Sequence, residues 1–253
     1  MDALKFSLSG RTAFFKKPDV NSFYYFTYGN IHKVALLGIL GAICGYGGYN
    51  RQCLNKEQIY PEFYGKLKDI NIGIVPKNEK GYIDKKIQVF NNSVGYASKE
   101  LGGNLIVKEQ WLENPKWDIY ILMDENVPKD LEDRLLNFKF KYIPYLGKND
   151  HMANITDVEY LENIEKLDNT NKLDSIFIKD KYEIQKLDND LFDMLNDSYK
   201  DVCEYKYEEM LPVSLDETTN KYNLETFIYT NSKLKSLTES KTYQCDSKNI
   251  FFF

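Results

Sequence analysis

Histidine is almost absent from this sequence, which contains two in 253 residues, His32 and His151. Cysteine is also scarce, with four in the chain and no Cys-x-x-Cys pair. Protein zinc sites are built mainly from closely spaced cysteines and histidines. The composition therefore argues against a zinc site, and we expect neither a metal nor another cofactor.

Long apolar runs are missing as well. The longest extends from Val34 to about Tyr46, whereas a membrane-spanning helix needs roughly 20 such residues. The first ten residues, MDALKFSLSG, have neither the basic start nor the apolar centre of a signal peptide. These features predict no membrane contact and a cytoplasmic protein with reduced thiols.

Positive charge is not in excess, since the net charge is −5, but its distribution is uneven. Residues 1–60 carry seven basic and three acidic side chains, whereas residues 151–253 carry 12 basic and 21 acidic ones. The balance argues against a generic nucleic-acid binder. It still allows the first part to meet a phosphate backbone while the last part faces solvent or a basic protein.

Hydrophobic periodicity predicts an α+β fold with the element order βαββαβ and an enlarged centre. RNA-binding modules often use such a sheet. A smaller β-rich part follows after about residue 170. The predicted strands and helices are strand 3–15, helix 31–44, strands 69–76 and 85–92, hairpin 105–123 turning at Asn114-Pro115, and helix 127–138.

The first predicted helix contains glycines at 38, 41 and 45, which share one face. A glycine inside a helix costs about 0.5–1 kcal/mol relative to alanine. The face therefore favours close approach of another backbone, whether the protein's own sheet, a partner subunit or a nucleotide.

The start of this helix and the loop before it combine cations with aromatic rings. His32 and Lys33 stand where free N–H groups and the positive dipole end favour a phosphate. Lys16, Lys17, Tyr24 and Tyr25 precede them; cations that hold phosphates and rings that stack on bases suit single-stranded nucleic acid. The alternative is aromatic rings in the core and solvated lysines.

Three further groups carry residues that suit RNA. Arg11 follows Gly10, so backbone and guanidinium could both approach a phosphate. The predicted turn Gly147-Lys148-Asn149 places N–H groups beside a cation. A third group lies on an extended element and offers a ring, two cations and two amides: Tyr96, Lys99, Asn104, Lys108 and Gln110. For each group, an ordinary surface or turn is the alternative.

Four stretches in order carry a family resemblance: LKFSLSGRTAFFKKP, HKVALLGILGAICGYG, SVGYASKELGGNLIVKEQWLENPKWDIYIL and YIPYLGKNDHMANI. Together they resemble the CRISPR-associated Cas five family of the RAMP superfamily, most closely its subtype I-B branch. The resemblance covers roughly residues 1–165.

This resemblance implies a ferredoxin-like RAMP domain over residues 1–165 with a protruding thumb hairpin at about 85–116, and a smaller β-rich region over 166–253. It implies a non-catalytic Cascade subunit that caps the 5′ handle of the crRNA and joins the backbone and large subunits, with indirect contact to target DNA. Arg11, Lys16, Lys17, His32 and Lys33 would contribute from the N-terminal part, with Gly147, Lys148 and Asn149 as the glycine-rich loop.

An endoribonuclease that processes precursor crRNA without metal is the alternative function. RNA cleavage of this kind needs a base near a 2′-OH, and histidine, tyrosine or lysine can serve. His32 with Tyr24, Tyr25 or Lys33 could form such a site. The branch that the sequence most resembles leaves processing to a separate Cas six endonuclease. A scaffold that binds only protein is the remaining alternative.

Overall fold

Strands outnumber helices in the part of the chain that a computed structural model describes, namely residues 1–18, 23–55, 57–185 and 204–253. The α-helices in it are α1 (Lys33–Cys44), α2 (Tyr49–Gln52), α3 (Glu62–Leu67) and α4 (Leu131–Leu136). The strands are β1 (Asp2–Ser9), β2 (Thr12–Ala13), β3 (Ile72–Pro76), β4 (Lys85–Asn91), β5 (Ile106–Glu113), β6 (Lys116–Met123), β7 (Asn154–Leu161), β8 (Glu165–Lys166), β9 (Phe177–Ile178), β10 (Tyr182–Ile184), β11 (Lys206–Leu215), β12 (Tyr222–Thr230), β13 (Leu234–Ser236), β14 (Lys241–Cys245) and β15 (Lys248–Phe252). Short 3-10 turns cover Glu79–Gly81, Ala97–Lys99 and Lys179–Lys181. The strand ladders are antiparallel, which agrees with the predicted α+β class.

The central sheet contains four strands in the order β3–β6–β1–β7. Because successive side chains of a strand point to opposite faces, β6 contributes to two cores. Trp117, Ile119 and Ile121 belong to the cluster that contains the buried residues of α1, whereas Tyr120 and Leu122 pack with β14 and β15. Along the chain, the sheet strands and their helices follow the order β1, α1, β3, β6, α4, β7.

Helix α1 starts two residues after the predicted Ile31 and ends at the predicted Cys44. Gly45 terminates it in the left-handed conformation, with φ 84°, and donates its N–H to the Gly41 carbonyl at 2.8 Å. Gly41 lies against Phe63 of α3, while Gly38 faces open space. The close neighbour of the glycine face is therefore another helix, which was not among the predicted alternatives.

No helix among the described residues is long and apolar enough to cross a membrane.

The second predicted helix, over 127–138, is shorter than expected, because α4 covers only Leu131–Leu136.

Strands β4 and β5 form an antiparallel hairpin, from Lys85 opposite Leu112 at its base to Asn91 opposite Ile106 near its tip. It lies within residues 85–116, the range expected for a thumb. The predicted hairpin over 105–123 is wrong, because β5 pairs with β2 and β4 whereas β6 pairs with β1 and β3. The segment at Asn114, where φ is 46°, carries the chain from one sheet to the next.

The described residues after 165 are rich in strands and share the core of the first part. Leu211, Leu215 and Phe227 belong to the same cluster as α1, and Ile250 and Phe252 cover the other face of the central sheet. Residues 186–203 of the predicted C-terminal region lie outside the described residues. The C-terminal strands therefore complete both cores of the central sheet, and a smaller third cluster, which includes Phe177 and Leu234, lies among these strands themselves.

Candidate nucleic-acid interface

The segment that follows residue 23 lies beside strand β5 and joins two predicted groups of RNA-binding residues. The Tyr25 N–H donates to the Lys108 carbonyl at 2.9 Å, and the Gln110 N–H donates to the Tyr25 carbonyl at 2.9 Å. The pairing is parallel, with Tyr25 opposite Glu109. Residues more than 80 positions apart in the chain thereby form one edge of the hairpin sheet.

This edge carries two cation–ring pairs, one on each face of the sheet. The Lys16 ammonium lies 4.0 Å from the centre of the Tyr25 ring, and the Lys108 ammonium lies 5.4 Å from that of Tyr24. Within the described residues, neither ammonium has a carboxylate partner, so each charge is available to a phosphate. A ring and a cation side by side are the elements that single-stranded nucleic acid uses.

Arg11 and the predicted residues at the hairpin tip are exposed. Tyr96 is 80% exposed, and Lys99 lies in the 3-10 turn that follows it, so these two residues are not on the extended element that was predicted. Asn104 accepts a long hydrogen bond of 3.5 Å from the Asn91 side chain. The tip is thus open to solvent, beyond the Asn91–Ile106 pair that ends the hairpin ladder.

Two of the predicted cations are already paired inside the protein. The Lys17 ammonium lies 3.2 Å from Glu209, whose carboxylate also accepts the N–H of Gly29 at 2.9 and 3.0 Å. The Lys33 ammonium donates to the Phe253 carbonyl at 3.0 Å, and burial lowers its pKa to about 8. Neither side chain is free for a phosphate in this arrangement.

His32 is placed in the core and not at the surface. Its ring is 3% exposed, and its Nδ1 accepts the N–H of Ala35, which makes it the N-cap of α1. The rings of Phe15, Tyr28 and Tyr222 surround it at 5.2–5.9 Å between centroids. Burial lowers its pKa to about 3, so the ring is neutral. This placement fits neither the expected phosphate contact nor proton transfer to RNA.

The three residues of the alternative catalytic site make contacts with different parts of the fold. Tyr24 sits beside Lys108 on the hairpin edge, His32 caps α1 inside the core, and Lys33 bonds to the C-terminal strand region. The three side chains therefore take part in separate contacts, whereas acid–base catalysis needs its groups within hydrogen-bond reach of the reacting atoms.

The glycine-rich loop packs on the hairpin sheet and carries a neutralised cation. The Lys148 ammonium bonds both carboxylate oxygens of Glu109, at 3.0 and 3.1 Å. Asn149 is exposed beside it, and His151 is buried with its Nδ1 2.7 Å from the Thr12 hydroxyl. The cation predicted beside this turn is thus paired with Glu109 in the folded chain.

Glu109 and Glu209 are residues of the candidate interface that sequence reasoning missed. Each is a carboxylate that cancels a predicted cation, and Glu109 also accepts the Trp111 indole N–H at 2.9 Å. Glu109 could have been suspected, because strand alternation places it on the face opposite Lys108 and Gln110.

Among the described residues, no cluster of three His, Cys, Asp or Glu side chains could hold a metal ion.

The course of the backbone identifies the fold. No protein-family model and no curated protein sequence matches the chain. A CRISPR protein from Archaeoglobus fulgidus aligns with 99% of this chain over 98% of its own, with a TM-score of 0.51 and 13% identity. A chain of a CRISPR RNA-guided surveillance complex aligns with 92% of this chain over 91% of its own, with a TM-score of 0.50 and 9% identity.

This chain has the fold of these CRISPR proteins. Both alignments extend over more than nine-tenths of it, so the C-terminal strands belong to the shared fold together with the central sheet.

Proposed function

We propose that this chain is a non-catalytic RNA-binding subunit of a type I CRISPR Cascade complex, of the Cas five family and subtype I-B-like, and that it caps the 5′ handle of the crRNA. The observation that carries the proposal is the joining of Tyr24 and Tyr25 to Lys108 and Gln110 along one hairpin edge. The fold shared with CRISPR proteins and the sequence resemblance support the assignment.

The order β1, α1, β3, β6, α4, β7 supports a ferredoxin-like RAMP domain. The β4–β5 hairpin then takes the place of the thumb, between the second and third strands of that domain. RNA would run along the Tyr25 edge, where Lys16 and Lys108 contact phosphates and the tyrosine rings stack on bases.

Assembly with other subunits is part of the proposal. The backbone and large subunits are the expected protein partners, and target DNA is contacted indirectly. The acidic C-terminal region suits contact with a basic protein surface better than contact with RNA. Deleting it would not test this idea, because its strands complete the core; charge substitutions at exposed carboxylates such as Glu225 are the suitable variants.

Absence of cleavage is a separate expectation. Incubation of the protein in EDTA with labelled repeat RNA and with crRNA carrying its 5′ handle should show handle-dependent binding and intact RNA. Site-specific cleavage that is lost on substitution of Tyr24 would replace the capping role by the processing role.

The first test concerns the two unpaired cations. In the double variant Lys16→Gln/Lys108→Gln, we expect the dissociation constant for handle RNA to rise about tenfold near physiological salt. We also expect the salt dependence of log K to become shallower by about 1.4, because a single strand releases about 0.7 cation for each neutralised phosphate. Fluorescence anisotropy over a salt series measures both quantities.

The matched control is Lys233→Gln/Lys235→Gln, which removes the same charge from exposed residues at the two-stranded β10–β13 sheet. Its affinity and salt dependence should remain those of the unsubstituted protein. Equal weakening by both double variants would mean that RNA responds only to net charge, and the proposed interface would be wrong.

A further inference from the structure

A cleft of about 950 Å³ opens along the glycine face of α1, and most of it lies outside the candidate interface described above. One side is formed by the chain after Gly47, including Tyr49 and Arg51, and the other by residues 142–148. Its size lies within the range of about 300–1,000 Å³ that is usual for sites of small ligands. Lys16 also lines it, so the cleft is continuous with the Tyr25 edge.

The floor of the cleft is formed by α1, whose backbone is uncovered at Gly38 between the small side chains of Ala35 and Ala42. A Cβ at Gly38 would meet nothing within 4 Å, so the space above this residue is open. Phe63 packs against Gly41 and makes a T-shaped contact with Tyr49 at 5.9 Å, which holds the near wall in place. A planar group can therefore approach the helix more closely here than over ordinary side chains.

The far wall presents aromatic rings on a backbone that the helix itself anchors. The N–H groups of Lys141 and Tyr142 donate to the carbonyls of Ile43 and Ala42 at 3.0 and 3.1 Å, the last turn of α1. These bonds fix the segment, yet the Tyr142 side chain is 49% exposed and Tyr145 is 45% exposed. Exposed tyrosine rings on an anchored backbone are suited to stacking, because a tyrosine side chain has few rotatable bonds and the backbone loses little further entropy on binding.

The charge of the cleft favours an anion. Lys148 and Glu109 neutralise each other, while Lys16 and Arg51 have no ion pair within the described residues. Arg51 does interact with the Glu62 carboxylate at a distance. The pKa of Glu62 is lowered by Lys66, by the Gly47 N–H and, to a smaller extent, by Arg51. Glu62 bonds to Lys66 at 2.8 Å and to Gly47 at 2.7 Å, so the Arg51 guanidinium can turn to a ligand.

We propose that this cleft receives one unpaired nucleotide of the bound RNA, with its base against the rings of Tyr142 and Tyr145 and its phosphate at Arg51. The inference rests on the proposed function and adds a base-binding subsite to it. The alternative occupant, a loop of a partner protein, is less favoured, because the exposed lining is dominated by tyrosines and cations, with Ile143 as its exposed aliphatic side chain.

The test fills the cleft without removing a contact. In Gly38→Leu, the new side chain enters open space on a helix, so the fold should be retained or slightly stabilised while the cleft is blocked. The control is Gly65→Leu, which places the same side chain in open space on α3 outside the cleft. Circular dichroism and thermal unfolding check that both variants are folded.

The readout is photocrosslinking of handle RNA that carries one 4-thiouridine, moved along the strand position by position. We expect one position to crosslink to the peptide containing Tyr142 and Tyr145 in the unsubstituted protein and in Gly65→Leu, and at least tenfold less in Gly38→Leu. Tyr142→Phe should retain this crosslink and Tyr142→Ala should lose it, because the ring and not the hydroxyl stacks on the base.

Other results separate this inference from the proposed function. RNA that binds with the expected Lys16 and Lys108 dependence, yet crosslinks only to hairpin peptides, overturns the subsite and leaves the function standing. RNA that does not bind removes both. Unchanged crosslinking in Gly38→Leu together with lost assembly with a protein subunit would assign the cleft to a protein partner instead.

Discussion

Replacing Gly147 with alanine should destabilise the fold by about 3 kcal/mol. Gly147 has φ 91°, a conformation that costs an L residue about 1–2 kcal/mol. A Cβ there would lie 2.7 Å from the carbonyl carbon of Phe14 and closer still to its oxygen. Backbone cannot move aside as a flexible side chain can, so the loop must shift.

The position matters because the loop is joined to its neighbours on both sides. The Phe14 N–H donates to the Leu146 carbonyl at 3.0 Å, and the His151 N–H donates to the Lys148 carbonyl at 3.0 Å. A displaced loop would separate Lys148 from Glu109 and leave a buried carboxylate unpaired, which carries a large cost of its own. Urea unfolding of the variant and of the unsubstituted protein measures the difference.

Gly102→Ala is the matched control. Gly102 also has positive φ, 76°, but a Cβ there would meet nothing within 4 Å. It should therefore cost only about 1 kcal/mol, the conformational part. If the two variants lose equal stability, close packing against Phe14 makes no contribution and the loop is held less tightly than the structure indicates.

Sequence patterns predicted correctly those helices and strands that are determined by residues close together in the chain. The apolar run closed by Gly45 predicted the end of α1, and the alternation at 85–92 predicted β4. The same reasoning failed at 105–123, where two adjacent strands with a turn between them resemble a hairpin. The burial of β6 on both faces distinguishes it from the one-sided β5, and that difference shows in the sequence as KWDIYILM against IVKEQWLE.

The sequence indicated which types of residue form the candidate site, but not which segments and side chains pair with one another. Lys16, Lys108 and the two tyrosines are at the surface, and their proximity depends on the parallel pairing with β5, for which the sequence has no local signal. The neutralised cations were missed because their partners are distant in sequence. Lys17 meets Glu209 and Lys148 meets Glu109, and such pairs exist only after folding.

The environment of His32 was also decided by tertiary structure. A polar residue just before a helix is a recognised N-cap position, and the imidazole indeed caps α1. What the sequence did not reveal is that Phe15, Tyr28 and Tyr222, from three separate segments, close around the ring. The histidine of the alternative catalytic site is therefore part of the core.

Acid should destabilise this protein through His32, and His32→Asn should remove the effect. Burial lowers the folded-state pKa from 6.5 to about 3, so below pH 6.5 the unfolded chain binds a proton that the folded chain does not. Stability from the neutral ring is complete above pH 6.5 and is lost as the pH falls towards 3. Between pH 7 and pH 5 the loss should be about 2 kcal/mol.

Asparagine is the informative substitution, because its side-chain oxygen can accept the same Ala35 N–H while it does not titrate. At pH 7 the variant should be less stable, since the smaller side chain leaves space among Phe15, Tyr28 and Tyr222. The difference should shrink by about 2 kcal/mol at pH 5, where only the unsubstituted protein has lost stability through this residue.

Urea unfolding at several pH values measures this difference, and comparing the two proteins cancels the carboxylates, which titrate in both. Burial lowers the pKa of His151 as well, and that contribution is also common to both. A difference that stays constant from pH 7 to pH 5 would mean that His32 is protonated as easily in the folded protein as in the unfolded chain. The imidazole would then have to reach solvent, and the argument against its role at the RNA surface would fall with it.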